Sequence, residues 1–293
     1  MLDFARDGKD WPNRSASRFI SAAGLTWHVQ VLGEGPEILL VHGTGASTHS
    51  FAELAQILAT TFTVIVPDLP GHGFTEMPRS ERLSLPGMAQ DLAGLTEALN
   101  VKPALVVGHS AGAAILIEMC LDGYIAPHAI VSINGALLPF GSVVGRFFSP
   151  LAKLLVLNPV VPHFFAWRAT NPAAVERVIG GTGSHISREG IARYATLFRS
   201  ETHVAAALGM MAKWDLHALQ HRLPNLRTKL ILVAGGLDRA VSSDDAFKVK
   251  ALVPDAEVVY LRGRGHLAHE ERPEEIAEII AKTARPALAA AEQ

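Results

Sequence analysis

One pentapeptide, Gly-His-Ser-Ala-Gly at 108–112, constrains the fold of this chain more than any other stretch. The apolar residues 105–107 before it are typical of a buried strand, and the small and apolar residues after it are typical of a helix. This order predicts a nucleophile elbow, a strained turn that points the serine hydroxyl out of the sheet. Gly108 and Gly112 would let the helix pack close to the strand. Ser110 is therefore the candidate nucleophile, and the alternative is a small serine in a tight turn without chemistry.

Apolar strands and amphipathic helices alternate on both sides of this pentapeptide. Strands that are apolar throughout are typical of a parallel sheet covered on both faces. The sequence therefore predicts an α/β protein with a mostly parallel, doubly wound sheet. The predicted strands are residues 19–22, 25–32, 37–41, 62–66, 105–107, 129–133, 229–234 and 256–261.

The alternation breaks after Gly135 and resumes near residue 229. Between Leu137 and about Leu216 the chain shows no pattern of a buried strand and contains many aromatic residues and prolines. We expect a helical cap here, inserted after the strand that ends at Asn134. The expected organisation is a first core segment at 1–136, the cap at 137–216 and a second core segment at 217–293.

Composition excludes several classes of protein. Of the 293 residues, 49% are hydrophobic and 18% are charged, which excludes a disordered chain and indicates a large core. The net charge of −2 and the lack of a basic stripe argue against nucleic acid as a partner. The single Cys120 cannot form an intramolecular disulfide and fits a reducing compartment. Because no apolar leader and no run of about eighteen apolar residues is present, a cytoplasmic protein is expected.

Three further polar groups follow predicted strands, where ligands bind in open α/β sheets. They are Thr44, Asp238 and His266. In acyl transfer, His266 would take the proton of Ser110 and return it to the leaving group, while Asp238 holds the imidazole in one tautomer. The backbone N–H groups of Thr44 and Ala111 would bind the oxyanion that forms.

Each assignment has a rival. Asp244 and Asp245 lie close to Asp238 in sequence, and His269 is the alternative base. None of the thirteen histidines lies in a His-Glu-x-x-His metal motif, and no carboxylate cluster resembles a magnesium site. We therefore predict neither a metal nor another cofactor.

These motifs together resemble the α/β-hydrolase superfamily over nearly the whole chain. They are the elbow, His42-Gly43, the stretch Asp-Leu-Pro-Gly-His-Gly at 68–73, Asp238 and His266. The resemblance implies an α/β-hydrolase fold. A serine at the nucleophile position, rather than an aspartate, separates the chain from haloalkane dehalogenases and epoxide hydrolases.

Finer features are similar to the magnesium-chelatase accessory proteins of bacteriochlorophyll biosynthesis. This similarity implies a role in the magnesium-inserting part of pigment synthesis in a phototrophic bacterium, with magnesium chelatase as a partner. It does not settle the reaction. The residues that carry it are 10–14, 17–19, 27–31, 42–50, 134–140, 181–184 and 210–216.

The cap stretch 145–169 mixes basic residues with many aromatic and aliphatic ones. Three explanations remain open: packing on the core, a pocket for a large flat hydrophobic ligand such as a porphyrin, and contact with a membrane surface. His109, Phe140 and Trp167 are the candidate pocket residues, although packing within the elbow is the simpler role for His109. The prolines in this stretch exclude a spanning helix.

The sequence thus predicts a serine hydrolase of esterase type that acts on, or beside, a tetrapyrrole intermediate. One alternative is a non-catalytic accessory protein that binds a porphyrin or assists the chelatase. Another keeps the serine site but changes the reaction to carbon–carbon cleavage or a lyase step, because one fold supports many chemistries.

Overall fold

The computed structural model of the chain describes residues 2–139 and 160–291. Within them, eight strands form one sheet in the order β1-β2-β4-β3-β5-β6-β7-β8. The strands are β1 Ser17–Ala22, β2 Leu25–Leu32, β3 Glu37–Val41, β4 Thr63–Pro67, β5 Leu105–His109, β6 Ala129–Ile133, β7 Lys229–Gly235 and β8 Glu257–Leu261.

The sheet is antiparallel at one edge and parallel elsewhere. β1 pairs with β2 and β2 with β4 in antiparallel fashion, while the other five pairs are parallel. The β1–β2 hairpin turns through Ala23 and Gly24, both with positive φ, as the right-handed twist of paired strands requires. The predicted mostly parallel sheet is confirmed.

Helices cover both faces of the sheet, as predicted for a doubly wound fold. α2 and α12 pack with the inner residues of one face, and α3, α4 and α10 with those of the other. The helices are α1 Phe4–Asp7, α2 Ala52–Leu58, α3 Leu85–Ala98, α4 Ala111–Leu121, α5 Val160–Arg168, α6 Pro172–Gly181, α7 Arg188–Phe198, α8 Glu201–Lys213, α9 His217–Arg222, α10 Asp244–Leu252, α11 Ala268–Glu271 and α12 Pro273–Ala291. Short 3-10 helices lie at Arg14–Ala16, Thr48–Phe51, Ser80–Leu83 and Leu223–Asn225.

Between β6 and β7 the described residues contain helices and no strand, which confirms the predicted helical insertion. We call α5 to α8 the cap helices. Three of them begin at a side chain that accepts a backbone N–H of the first turn, which satisfies a donor that the helix itself cannot. These residues are Asn171, Ser187 and Ser200. Phe140 and residues 145–159 of the predicted cap lie outside the described residues, so the cap boundaries remain a prediction.

The cap helices lie over the carboxyl ends of the strands. His203 of α8 is buried, and its Nε2–H donates to the Gly45 carbonyl at 3.1 Å. Its Nδ1 accepts the N–H of Gly73, also at 3.1 Å. One side chain of the cap therefore joins the loops that follow β3 and β4. No helix in the described part of the chain has the length and apolar character needed to cross a bilayer.

Candidate active site

Ser110 lies between β5 and α4 in a backbone conformation that L-residues rarely adopt, with φ 51° and ψ −117°. The turn is held from the neighbouring strand. The N–H of Ser110 donates to the carbonyl of Ile133 at 3.0 Å, and its carbonyl accepts the N–H of Ala136 at 3.1 Å. Strain of this kind persists only where the surroundings determine it, and it is concentrated at functional sites.

The two glycines of the pentapeptide are required by close backbone contacts. A Cβ on Gly112 would lie 2.1 Å from the Val41 carbonyl oxygen, and one on Gly108 would lie 2.4 Å from the Ala113 nitrogen. Because glycine has no side chain, α4 can begin in close contact with β3 and β5.

The side chain of Ser110 makes no hydrogen bond within the described residues. Catalytic hydrogen bonds are often formed only when a ligand is bound.

The structure brings Asp238 and His266 together. Asp238 follows β7, His266 follows β8, and the Nδ1–H of His266 donates to Asp238 Oδ2 at 2.7 Å. The other oxygen of Asp238 accepts the N–H groups of Ala240 and Val241 at 2.7 and 2.9 Å. Both side chains are largely buried, at 1% exposure for Asp238 and 11% for His266. Because Nδ1 carries the proton, Nε2 is the nitrogen left to accept one.

Asn134, the residue directly after β6, fixes the loop that carries His266. Its Oδ1 accepts the N–H of Gly235 at 2.7 Å, and its Nδ2 donates to the carbonyls of Gly265 and His266 at 2.9 and 2.8 Å. His109 Nε2–H donates to the same His266 carbonyl at 3.0 Å. From the sequence, Asn134 was assigned only as the end of a strand and as part of the 134–140 stretch, and its polar side chain directly after a mostly apolar strand was the available signal.

The backbone N–H groups of Thr44 and Ala111 make no hydrogen bond within the described residues. The Thr44 loop is held by His42, which is fully buried. His42 Nδ1–H donates to the Gly43 carbonyl at 2.8 Å, and its Nε2 accepts the N–H of Leu69 at 2.9 Å. Burial lowers the pKa of His42, so the ring stays neutral and keeps this pair of contacts.

The rivals of the candidate pair lie elsewhere. Asp244 is exposed in the first turn of α10, and Asp245 forms an ion pair with Lys248 at 2.7 Å. His269 is buried rather than at the surface, and neither ring nitrogen has a hydrogen-bond partner among the described residues. Burial lowers the pKa of His269 to about 3, which makes it a poor base near neutral pH.

Two of the three candidate pocket residues are described. His109 is buried, with its ring centroid 4.7 Å from that of His266 and 4.4 Å from that of His269. Trp167 lies on α5 with 62% of its surface exposed. Phe140 lies outside the described residues, so the pocket remains a prediction.

The sequence profile of the alpha/beta hydrolase family matches residues 38–279. The chain belongs to this family. An alpha/beta hydrolase fold protein from Burkholderia ambifaria superimposes with a TM-score of 0.76 and covers 96% of this chain and 98% of its own, at 23% identity.

Two sequence relatives cover most of the family fold. The magnesium-chelatase 30 kDa subunit of Rhodobacter capsulatus is 38% identical over 263 residues, which are 89% of this chain and 92% of that protein. The pyrrolizixenacetamide deacetylase of Xenorhabdus hominickii is 27% identical over 258 residues, which are 83% of this chain and 88% of that protein.

Asn134→Asp should destabilise the hydrolase core. The change keeps the shape of the side chain but removes the donor of two buried hydrogen bonds and sets a carboxylate against carbonyl oxygens. Unsatisfied buried groups cost about 1–3 kcal/mol each, so we expect a loss of at least about 2 kcal/mol in the free energy of unfolding by urea. Asn100→Asp is the matched control, because Asn100 also has a positive φ but is exposed. Equal losses in both variants would contradict the role of Asn134.

Glu270, four residues after His266, makes the stability depend on pH. Its carboxyl group accepts a hydrogen bond from the Tyr194 hydroxyl of α7 at 2.7 Å, and burial raises the pKa of Glu270 from 4.5 to about 8. The stabilisation from protonated Glu270 is fully present below pH 4.5 and is lost as the pH rises to about 8. Relative to Glu270→Gln, the free energy of unfolding of the wild type should therefore fall over this range, by up to about 1.4 kcal/mol per pH unit. Glu278→Gln, at an exposed position of α12, should follow the wild type.

Proposed function

We propose that this chain is a Ser-His-Asp hydrolase of esterase type. Ser110 is the nucleophile, His266 the general base and acid, and Asp238 the residue that orients the imidazole. One observation carries the proposal: the buried Asp238 carboxylate accepts a hydrogen bond from His266 Nδ1 at 2.7 Å, at the same edge of the sheet as the strained turn of Ser110. This arrangement leaves Nε2 to remove the serine proton.

The first half of the reaction forms an acyl-enzyme. Ser110 Oγ attacks the carbonyl carbon of an ester while its proton passes to His266 Nε2. Asp238 stabilises the imidazolium that results. The tetrahedral oxyanion accepts hydrogen bonds from the N–H groups of Thr44 and Ala111, which have no other acceptor within the described residues. The imidazolium then protonates the leaving alkoxide, and the C–O bond of the ester breaks.

The second half uses water. His266 removes a proton from a water molecule, which attacks the acyl carbon, and the same two N–H groups bind the second oxyanion. Collapse of this intermediate breaks the bond to Ser110 Oγ, and the proton returns from His266 to the serine. The products are a carboxylic acid and the alcohol, and the chain is regenerated.

We infer that this hydrolase works in bacteriochlorophyll synthesis at the magnesium-insertion step, in association with magnesium chelatase. The support is the 38% identity to the magnesium-chelatase 30 kDa subunit, which extends over the catalytic core and the cap alike. We further propose that the ligand is a tetrapyrrole or a similarly large apolar molecule. The ring of Trp167 on α5, which is 62% exposed, offers apolar surface to such a ligand.

Asp238→Asn should lower kcat/KM for hydrolysis of p-nitrophenyl butyrate by about 10⁴-fold, because the amide favours the wrong tautomer of His266. Asp244→Asn is the matched control: the same change six residues away, at an exposed acid that touches no site residue, should leave kcat/KM unchanged. Equal activity of the two variants would remove Asp238 from the mechanism.

Inhibition of ester hydrolysis by protoporphyrin IX tests whether the ligand is a tetrapyrrole. If protoporphyrin IX occupies the acyl site, it should raise the KM for the ester and leave kcat unchanged.

The alternative of a non-catalytic accessory protein is tested by magnesium insertion in a reconstituted chelatase supplied with wild type, Ser110→Ala or Trp167→Ala protein. We expect Ser110→Ala to lose its effect on insertion. Full support by Ser110→Ala together with none by Trp167→Ala would show that the chain acts by binding alone.

A further inference from the structure

A short segment of the cap, Thr182 to Ser184 between α6 and α7, lies between the two loops that carry the candidate acid and base. On one side, the Thr182 carbonyl accepts the N–H of Arg239, the residue after Asp238, at 3.0 Å. On the other side, Ser184 Oγ accepts the N–H of Leu267, the residue after His266, at 2.8 Å. Two residues of this three-residue segment thus bind the backbone next to both members of the pair.

The backbone of residues 182–184 approaches both loops closely. Gly183 has φ 85°, and a Cβ built on it would lie 1.9 Å from the Leu237 carbonyl oxygen. A Cβ on Gly265 would lie 2.3 Å from the Gly183 carbonyl oxygen. Ser184 itself is 2% exposed. No side chain fits at Gly183 or Gly265, so the segment lies in close backbone contact with both loops.

The apolar core of the cap also includes a residue of the loop that carries His266. Leu267 is buried in a cluster with Val175 and Ile179 of α6 and Tyr194 of α7. Both helices that flank the segment therefore pack on the residue that follows His266. Asn134 and His109, at the ends of sheet strands, donate hydrogen bonds to the carbonyl of His266. Ser184 of the cap accepts the N–H of the same peptide group, that of Leu267.

We propose that this segment is a positioning element for the Asp238–His266 pair and that Ser184 is its positioning residue. The proposal rests on the hydrolase mechanism above. Ser184 touches neither substrate nor reacting atoms. It acts by fixing the peptide between His266 and Leu267, which sets the direction of the imidazole. The cap is then part of the catalytic apparatus as well as a cover, and any ligand or partner that displaces α6 or α7 alters the reactivity of Ser110.

Ser184→Ala tests this by the rate at which a fluorophosphonate probe labels Ser110. Small displacements of a catalytic group reduce rates by up to about a hundredfold, so we expect a loss between about tenfold and about a hundredfold at 25 °C. Ser187→Ala is the matched control. It is the same substitution three residues on, and it also removes one hydrogen bond to a backbone N–H, that of Gly190 at 3.1 Å, but it contacts neither loop. Its labelling rate should equal that of the wild type.

A second readout does not depend on activity. The proton between His266 Nδ1 and Asp238 Oδ2 should give a far-downfield proton NMR resonance, identified by its absence in Asp238→Asn. We expect this resonance to shift or broaden in Ser184→Ala and to stay unchanged in Ser187→Ala. An unchanged resonance and an unchanged labelling rate in Ser184→Ala would overturn the positioning role. A wild type that is never labelled but shows the resonance would instead count against the proposed hydrolase, and the resonance alone would then decide the role of Ser184.

Discussion

The hydrogen bond between His266 and Asp238 is the interaction on which the candidate site depends, and neither residue lies in a helix or strand. Loops gain a fixed geometry only when their backbone groups are bound elsewhere. The sheet supplies part of this support, through Asn134, which spans from the end of β6 across β7 to the loop after β8. The cap supplies the rest through Ser184. Two separate parts of the chain therefore determine one 2.7 Å contact.

Two further buried histidines, His28 and His203, also fix loops. His28 and Asp68 form a buried pair at 2.7 Å, and Asp68 also accepts the N–H groups of Thr48 and Phe74 at 2.6 and 2.9 Å. Burial raises the pKa of Asp68, but His28, His42 and the Phe74 N–H together outweigh burial and lower the pKa to about 2. His203 has its pKa lowered to about 4 by burial, so it remains a neutral link between the cap and two loops. Buried polar groups with complete hydrogen bonding hold loops in one arrangement, at the cost of their desolvation.

The sheet, the elbow and the position of Asp238 were predictable because they follow from local sequence patterns. The run of apolar strands specified the parallel sheet, and the elbow followed from a strand, two glycines and a helix. The choice of Asp238 over Asp244 followed from its place directly after a strand. The roles of Asn134 and Ser184 could not be predicted, because they depend on which loops meet in space. Ser184 is 82 residues from His266 in sequence, and nothing in the residues around it indicates that its hydroxyl binds the peptide after the candidate base.

The proposed mechanism requires Ser110 to be an activated nucleophile. The most direct measurement is mass spectrometry of the purified full-length chain after reaction with a fluorophosphonate, with the adduct located by peptide mapping. We expect one adduct, on Ser110, which heat-denatured protein does not form. An unmodified chain, or an adduct on any other residue, would contradict this mechanism.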